Sequence, residues 1–315
     1  MTSLQMPWFE SPLFEAELER SELDPVRKEQ VQRFARDGYL IFHLELPEFD
    51  QLADSVISTL APDHDRLGLR LQDAWQYCEA VRKIAVADEV MSLLRDLYRR
   101  EPIPFQTLNF KRGTEQAAHS DLAHFASMPP RYMAGVWVAL EDVSEDLGNG
   151  PLFYYPGSHR ELPIVEPHNL GVVGTRDARY RAYEQTVGEL IEHSSLERLV
   201  INAKRGDVLI WSANILHGGL PITDPSTTRQ TQVTHVFFEG CRYYNPLYSN
   251  PALGHFSWRQ VTDIRTGRTV PHVVDGKQVR LPVTTRLRYV AEESLRRNPG
   301  GRRALEAIKR RVRSA

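Results

Sequence analysis

Short β-rich runs fill residues 104–240 and constrain the fold more than any other feature of the sequence. Glycine, proline, asparagine and aspartate separate these runs, which read PFQTLNFKRG, YMAGVWVAL, PLFYY, RLVINAK, DVLIWS and RQTQVTHVFFEG. Segments of this length that are rich in β-branched and aromatic residues are typical of strands. Several short strands bounded by turn residues favour a sandwich or a barrel. We therefore expect a β core in this part of the chain.

Helical patterns precede the β-rich region. Asp24-Pro25 places a capping carboxylate before a proline, and the amphipathic run that follows is predicted to end at Gly38. Residues 39–46 form a predicted strand, and helical spacing returns over 47–61 and over 79–100. The segment 1–103 is thus expected to be a mostly helical support for the core.

The predicted organisation is one domain over residues 1–315. Its β core spans about 104–240 and carries an insertion at 161–196, helical over 176–196, that is expected to act as a lid, with loop packing as the alternative. A C-terminal extension follows at 241–315. Within it the aromatic stretch 243–258 is a second candidate lid, and the basic segment 284–315 is predicted to be a solvated helix.

Bulk composition narrows the functional class. A formal net charge of -2 argues against nucleic acid as the main ligand, because dedicated binders carry a basic excess. The two cysteines match neither a metal-ligand spacing nor a disulfide framework, and no apolar run approaches the roughly 18 residues that span a bilayer. Without a visible signal peptide, the expected location is the cytoplasm and the expected partner is a small-molecule substrate. The oligomeric state cannot be read from the sequence.

The His-x-Asp/Glu motifs of the chain include His43-Leu44-Glu45 and His119-Ser120-Asp121. With 11 histidines in the chain, one or two such matches are expected by chance, so only their context separates them. On a strand, residues two apart point to the same face and can bind one ion. His43 and Glu45 lie in an apolar strand and are interpreted as a structural pair.

The motif at His119 and Asp121 has a downstream partner. His217 follows a strand signal, and the two glycines after it let another group approach the backbone closely. Two histidines and one carboxylate form the facial triad that is typical of non-haem Fe(II) oxygenases. No thiolate lies close to the motif in sequence to favour structural zinc.

Arg229 is the next candidate functional residue. It lies beyond a turn at 223–227 that can fold its strand back beside His217. A guanidinium in that place could pair with one end of a dicarboxylate co-substrate whose other end chelates iron. A lone arginine that opens a strand is ordinarily part of a surface ion pair, but its spacing from the triad favours the ligand role.

These features, in this order, resemble the phytanoyl-CoA dioxygenase family of Fe(II)/2-oxoglutarate-dependent oxygenases. The resemblance covers roughly residues 31–240. It runs through RFARDGYLIF, FQTLNFKRG, His119-Ser120-Asp121, the segment 135–159 that ends in PGSH, GDVLIW, His217 and Arg229.

The resemblance implies a double-stranded β-helix, or cupin-like jelly roll, that is mainly β and buttressed by N-terminal helices. It implies His119, Asp121 and His217 as ligands of Fe(II), with 2-oxoglutarate and O2 as co-substrates. Arg229 would hold the distal carboxylate of 2-oxoglutarate. Gln106, Thr231 and Trp137 are further expected contacts of the co-substrate, although Trp137 could equally be an aromatic anchor of the core.

The implied activity is hydroxylation of an unactivated C–H bond in a small metabolite or a natural-product intermediate. Related halogenases lack the carboxylate that Asp121 supplies here, which disfavours halogenation. Candidate substrate contacts are His124, Phe125 and Arg131, and for Arg131 a structural ion pair is an equal alternative. Two other functions stay open: a cupin-like isomerase or hydrolase that uses the same triad, and a non-catalytic binding protein.

Overall fold

A computed structural model describes residues 4–68, 70–162, 166–170, 175–296, 300–301 and 304. Within these ranges the α-helices are α1 Phe14–Glu19, α2 Pro25–Asp37, α3 Phe49–Leu67, α4 Glu79–Ala85, α5 Asp88–Tyr98, α6 Ser158–Glu161, α7 Arg176–Glu192 and α8 Val283–Arg296. None of the helices in this described part is long and apolar enough to cross a membrane.

The strands alternate with short turns. They are β1 Tyr39–His43, β2 Arg70–Gln72, β3 Pro102–Phe110, β4 Ala126–Met128, β5 Met133–Ala139, β6 Leu152–Tyr154, β7 Leu199–Val200, β8 Asp207–Ser212, β9 His217–Gly219, β10 Thr231–Phe238, β11 Arg242–Tyr244, β12 Val261–Asp263, β13 Arg268–Val270, β14 His272–Val274 and β15 Lys277–Val279.

Two antiparallel sheets form the core that the sequence predicts. The major sheet has six strands in the order β1-β8-β5-β10-β3-β2, and the minor sheet has three strands in the order β7-β6-β9. Leu152 and Tyr154 of the minor sheet pack in one buried cluster with Trp137, Leu209 and Val233 of the major sheet. The chain therefore folds as a jelly roll with a core between its sheets.

The four central strands of the major sheet, β8, β5, β10 and β3, are buried on both faces. Alternate residues such as Val136, Ile210 and Val236 belong to a cluster that also contains the N-terminal helices. Their neighbours Trp137, Leu209 and Val233 face the minor sheet. Because successive side chains on a strand point to opposite faces, this sheet binds its helical support on one side and encloses the core on the other.

The inner face of the major sheet is organised in three layers, set by strand register. The first contains Gln106, Gly135, Trp211 and His235; the second contains Leu108, Trp137, Leu209 and Val233; the third contains Phe110, Ala139 and Thr231. The polar side chains Gln106, His235 and Thr231 thus lie in the two outer layers, and the middle layer is apolar.

The N-terminal helices largely follow their sequence signals. The Asp24 carboxylate accepts the backbone N–H of Arg27 at 3.0 Å, and Gly38 ends α2 in the left-handed conformation with φ 83°. The predicted helix over 79–100 is in fact two helices, because the chain leaves helical geometry at Val86 and Ala87 before α5 begins.

The C-terminal extension contains two small hairpins, β12–β13 and β14–β15, before α8, which starts at Val283 and ends at Arg296, within the segment that the sequence predicts to be helical. Residues 297–299, 302–303 and 305–315 of that basic segment lie outside the described residues. The predicted insertion contains α7, whereas residues 163–165 and 171–174 of the insertion also lie outside the described ranges.

Candidate metal centre

The fold brings the three predicted ligands together. One ligand atom each from His119, Asp121 and His217 lies within 4.8 Å of the other two, and all three residues are buried. His43 is remote from this group in the sheet: it lies at the end of β1, where its Nδ1 is 2.9 Å from an Asp207 carboxylate oxygen. The structural interpretation of His43 fits, but its partner is Asp207 and not Glu45.

Backbone hydrogen bonds fix the two histidines beside each other. The N–H of His119 donates to the carbonyl of His217 and the N–H of His217 donates to the carbonyl of His119, both at 2.9 Å. Asp121 does not continue a strand as we expected, because it opens a short 3-10 helix that ends at Ala123. Tyr183 of α7 steadies the residue between them, since its hydroxyl accepts the N–H of Ser120 at 2.8 Å.

The ligand histidines are oriented by main-chain carbonyls. Nδ1 of His119 lies 2.9 Å from the carbonyl of Ala117, and Nδ1 of His217 lies 3.2 Å from that of Ile215. A carbonyl only accepts, which assigns the proton of each neutral ring to Nδ1. Nε2 is then the nitrogen that remains to bind a metal ion.

The protonation states of the ligands suit a cation. Burial lowers the pKa of His119 to about 4, with the nearby His217 adding to the effect, so this imidazole is neutral at neutral pH. Burial acts to raise the pKa of Asp121. Electrostatic interactions with the rings of His235, His217 and His119, together with a hydrogen bond from Trp211, outweigh it and hold that pKa below its ordinary value.

Trp211 orients the carboxylate of Asp121. Its indole Nε1 donates to Oδ2 at 2.8 Å, and both groups are buried. The indole lies directly on Gly135 of the neighbouring strand, where an added Cβ would be 2.1 Å from Cε2 of Trp211. Glycine is therefore required at 135 for Trp211 to reach Asp121.

A third histidine, His235, lies behind the triad. Its Nε2 is 3.8 Å from Oδ1 of Asp121, and its Nδ1 is 3.1 Å from the side-chain oxygen of Gln106. Burial lowers the pKa of His235 to about 4, against the charge of Asp121. We did not predict either His235 or Trp211. The two-residue alternation that places Thr231 on the same strand face as Arg229 also places His235 on that face. The sequence pattern could therefore have identified His235 as a candidate.

Arg229 is a buried cation without an anionic partner among the described residues. The residue is 2% exposed, and its Nη1 donates to the carbonyl of Gly150 at 2.6 Å. Burial lowers its pKa to about 10, which leaves the guanidinium charged at neutral pH. No carboxylate of the described residues pairs with it. Taking a charge out of water without a partner is costly, which indicates that this site is built for an anion.

Three buried polar atoms of this region also have no hydrogen-bond partner among the described residues. They are Nε of Arg229, Oγ1 of Thr231 and Nε1 of Trp137. Buried donors are rarely left unsatisfied, so their coincidence fits a ligand that brings acceptor oxygens. Gln106 lies in the layer of His235, at the opposite end from Thr231, so it can reach only the metal end of such a ligand.

The three candidate substrate residues lie in three different environments. Phe125 is buried with its ring 4.5 Å from that of His235, beside the metal centre. His124 packs against Tyr180 of α7, with ring centroids 5.2 Å apart. Arg131 is instead committed elsewhere, because its Nη1 lies 2.9 Å from Oε2 of the buried Glu10. This ion pair is the alternative that the sequence left open, and it favours a structural role for Arg131.

Residues 10–230 match the sequence profile of a family described as phytanoyl-CoA dioxygenase. The chain belongs to the phytanoyl-CoA dioxygenase family. The matched range contains His119, Asp121, His217 and Arg229, so the family assignment covers every residue of the site except those of β10 and beyond.

Curated relatives and solved structures agree with the family. The chain is 26% identical to phytanoyl-CoA dioxygenase domain-containing protein 1 of Mus musculus, a match that covers 44% of this chain and 50% of that protein. It is 26% identical to ectoine dioxygenase of Halomonas elongata over 68% of this chain and 71% of that protein. The chain therefore spans about half the length of the first of these relatives.

The fold is shared with solved enzymes. EctD from S. alaskensis, crystallised with 2-oxoglutarate and 5-hydroxyectoine, has a TM-score of 0.55 at 20% identity, covering 72% of this chain and 80% of that chain. SnoN, an α-ketoglutarate-dependent epimerase from nogalamycin biosynthesis, has a TM-score of 0.54 at 18% identity, covering 80% and 98%. These likenesses confirm the cupin-like jelly roll.

Proposed function

We propose that this protein is an Fe(II)- and 2-oxoglutarate-dependent dioxygenase that hydroxylates an unactivated C–H bond of a small molecule. The observation that carries the proposal is the buried guanidinium of Arg229, which has no anionic partner among the described residues. Arg229 precedes β10, the strand whose His235 places Nε2 3.8 Å from Oδ1 of Asp121. A metal site alone is compatible with many reactions. A metal site with a buried cation at the far end of the same core calls for a bifunctional anion.

The donor set fits ferrous iron. Two neutral imidazoles and one carboxylate are the ligands of the facial triad, and they leave further coordination positions for small molecules. The carboxylate offsets one of the two charges of the ion. His119, Asp121 and His217 would hold the metal, while Trp211 keeps the carboxylate in place.

The core between the two charged ends fits 2-oxoglutarate. The layer between the metal centre and Arg229 consists of Leu108, Trp137, Leu209 and Val233, all of them apolar apart from the indole N–H. A five-carbon dicarboxylate has methylenes in its middle and oxygens at its ends. Arg229 and Thr231 would hold its distal carboxylate, and the indole N–H of Trp137 is a further donor close by.

Bound together, iron, 2-oxoglutarate and O2 supply an oxidant that is strong enough to replace C–H by C–OH, with succinate and CO2 as the other products. The residues of this chain bind, orient and shield. Tyr183 and Tyr180 of α7 pack on the segment 116–124 and would exclude water from one side of the centre. Phe125 places an apolar surface beside it.

An anaerobic titration tests the proposal. Adding 2-oxoglutarate to the Fe(II) protein should produce a visible charge-transfer band, and a substrate should stimulate succinate release. Replacing Asp121→Ala should abolish both, because the triad loses its anionic ligand. Arg229→Gln should keep the metal but weaken 2-oxoglutarate binding roughly 10- to 150-fold, since a hydrogen-bonded charge is worth about 1.5–3 kcal/mol.

A matched control is Arg288→Gln, which removes an exposed guanidinium that pairs with Glu292. It should leave the band and its titration unchanged. An isomerase or hydrolase that uses the same triad would show neither the band nor succinate. A binding protein without activity would show the band but no substrate-dependent succinate. Either result would overturn the proposed reaction.

A further inference from the structure

One helix of the insertion contacts the segment that contains two of the metal ligands. α7 is 17 residues long, and its Tyr180 and Tyr183 lie three residues apart, on one face of the helix. Both tyrosines contact the segment 116–124, which includes His119 and Asp121. The helix that the sequence predicts as part of a lid is therefore connected to the metal centre by specific side chains.

Tyr183 bonds to the residue between the two ligands. Its hydroxyl accepts the backbone N–H of Ser120 at 2.8 Å and lies 3.1 Å from Oγ of the same serine. Tyr183 is 1% exposed and Ser120 is 5% exposed, so water cannot readily replace these bonds. The N–H and the hydroxyl of Ser120 thus share one partner on α7.

Ser120 is the junction between two parts of the backbone that are held in different ways. His119 before it exchanges backbone hydrogen bonds with His217, whereas Asp121 after it opens a 3-10 helix. The orientation of the peptide between His119 and Ser120 sets the direction in which the chain continues to Asp121. A bond to this N–H therefore helps to fix where the carboxylate of Asp121 lies relative to the two imidazoles.

Tyr180 contacts the chain on both sides of this junction. Its hydroxyl accepts the side-chain N–H of Gln116 at 3.0 Å, and its ring centroid lies 5.2 Å from that of His124. The rings of Tyr180 and Tyr183 stack with their centroids 6.0 Å apart, so each supports the position of the other. The contact of α7 with the segment 116–124 thus includes residues before, between and after the two ligands.

The rest of α7 is weakly attached. Among its described side chains only Tyr183 and Val187 are buried, and its sequence is largely polar, RDARYRAYEQTVGELIE. Gly188 lies inside the helix, where glycine lowers helix stability. Because most helices in proteins depend on packing for their stability, the docked state of α7 depends on few contacts. Each of them should contribute a measurable share of the free energy of docking.

We propose that Tyr183 couples the docking of α7 to metal binding: docked α7 holds Ser120 so that Asp121 stays in the ligand position, and a bound ion in turn holds α7 on the core. Tyr183 is a positioning residue, since it acts on the metal through Ser120. By linkage, docking strengthens metal binding by the same factor by which the metal strengthens docking. The proposal rests on the proposed function for the three metal ligands and not for the reaction.

Metal affinity tests one direction of the coupling. Tyr183→Phe keeps the ring and leaves the N–H of Ser120 without its acceptor. Calorimetric titration of the metal-free, full-length protein with Co(II) should show binding that is weaker by roughly fivefold or more, since fivefold is the low end of the usual range for coupled sites. The ligand-field absorption of bound Co(II) should also change, because it reports the arrangement of the ligands.

Tyr98→Phe is the matched control. The hydroxyl of Tyr98 is also buried, and it donates to the carbonyl of Met133 at 2.8 Å. The variant should lower the urea midpoint and leave the affinity and the absorption of Co(II) unchanged. A loss of stability alone would therefore not imitate the effect of Tyr183→Phe.

Hydrogen exchange tests the other direction and needs no variant. Saturating Co(II) should slow the exchange of the α7 amides by a factor similar to that found in the titration, whereas the exposed helix α8 should keep its rate. In Tyr183→Phe the ion should no longer slow α7. Val187→Ala removes packing but keeps the hydroxyl, so α7 should exchange faster while the ion still slows it by the native factor.

Three results would contradict the coupling: native Co(II) affinity in Tyr183→Phe, α7 exchange that does not respond to the ion in the native protein, or an equal loss of affinity in Tyr98→Phe. Each can occur while 2-oxoglutarate produces its charge-transfer band, and the oxygenase would then stand without the coupling. If the band were absent while Co(II) still slowed α7, the reaction would be refuted and the coupling retained. A native protein that bound neither Fe(II) nor Co(II) would refute both.

Discussion

The hydrogen bond from Trp211 to Asp121 makes a quantitative prediction for Trp211→Phe. The exchange keeps an aromatic ring and removes the one N–H that donates to Oδ2 of Asp121 at 2.8 Å. The buried carboxylate then loses a donor and becomes freer to rotate out of the position in which it binds a metal. We expect weaker metal binding without loss of the fold.

The size of the effect follows from the strength of the bond. A hydrogen bond to a charged group contributes about 1.5–3 kcal/mol, and about 1.4 kcal/mol corresponds to a factor of ten in affinity. The variant lacks this hydrogen bond in the metal-free state as well as in the metal-bound state. Only part of the bond's free energy is therefore lost from metal binding. Groups that orient metal ligands typically change the affinity 10- to 100-fold when they are removed, and we expect Trp211→Phe to fall in this range.

The assay is an anaerobic titration of the metal-free protein with Fe(II) or Co(II), in which calorimetry measures the affinity for the metal. Trp8→Phe is the matched control, because Nε1 of Trp8 also donates from a buried position, to the carbonyl of Leu97 at 2.8 Å. It should lower stability and leave metal affinity unchanged.

Gly135→Ala tests the same contact from the other strand. Its new Cβ would lie 2.1 Å from the Trp211 ring and force the indole to move, so metal affinity should fall at least as far as in Trp211→Phe. If both variants bound the metal as the native protein does, the orienting role of Trp211 would be refuted.

Three further outcomes are expected. Thr231→Val should weaken 2-oxoglutarate binding about 2- to 12-fold in a charge-transfer titration and should not lower stability, because the hydroxyl has no hydrogen-bond partner among the described residues. Gly38→Ala should lower the urea midpoint more than Gly267→Ala, since both have positive φ but only at 38 would a Cβ meet His159, at 2.5 Å. The free energy of unfolding of the metal-free protein should decrease as the pH falls from about 6.5 towards 4. Burial lowers the pKa of four histidines to about 4 in the folded protein: His119, His159, His235 and His272. Between these two pH values the unfolded chain binds protons that the folded chain does not, which favours unfolding. A stability that did not change over this pH range in urea unfolding would contradict that origin.

Local patterns were sufficient to predict the core and the triad. The strands could be predicted because apolar and polar residues alternate along them, and the turn that precedes Arg229 lies within a few residues of it. His119 and Asp121 are neighbours in sequence, so one motif supplies two of three ligands. Both ends of α2 could be predicted as well, because Asp24 caps its first turn and Gly38 its last turn, each through nearby backbone groups.

The contacts that refine the site could not be predicted, because they depend on register between distant strands. Trp211 reaches Asp121 only because β8 pairs with β5 so that Trp211 lies opposite Gly135. β10 contains an irregularity in register after His235, which no local pattern encodes. Arg131 forms an ion pair with Glu10, which lies more than a hundred residues earlier in the chain. The sequence therefore could not decide between an ion pair and a substrate contact.

The reciprocal backbone bonds between His119 and His217 bear on how the protein acquires its metal. In small zinc domains the ion creates the fold, and chelators therefore unfold them. Here two peptide groups, each bonded to the other at 2.9 Å, belong to the fold itself and hold the imidazoles side by side. We therefore expect folding to precede metal loading, so that a chain that loses its ion keeps the geometry needed to accept another.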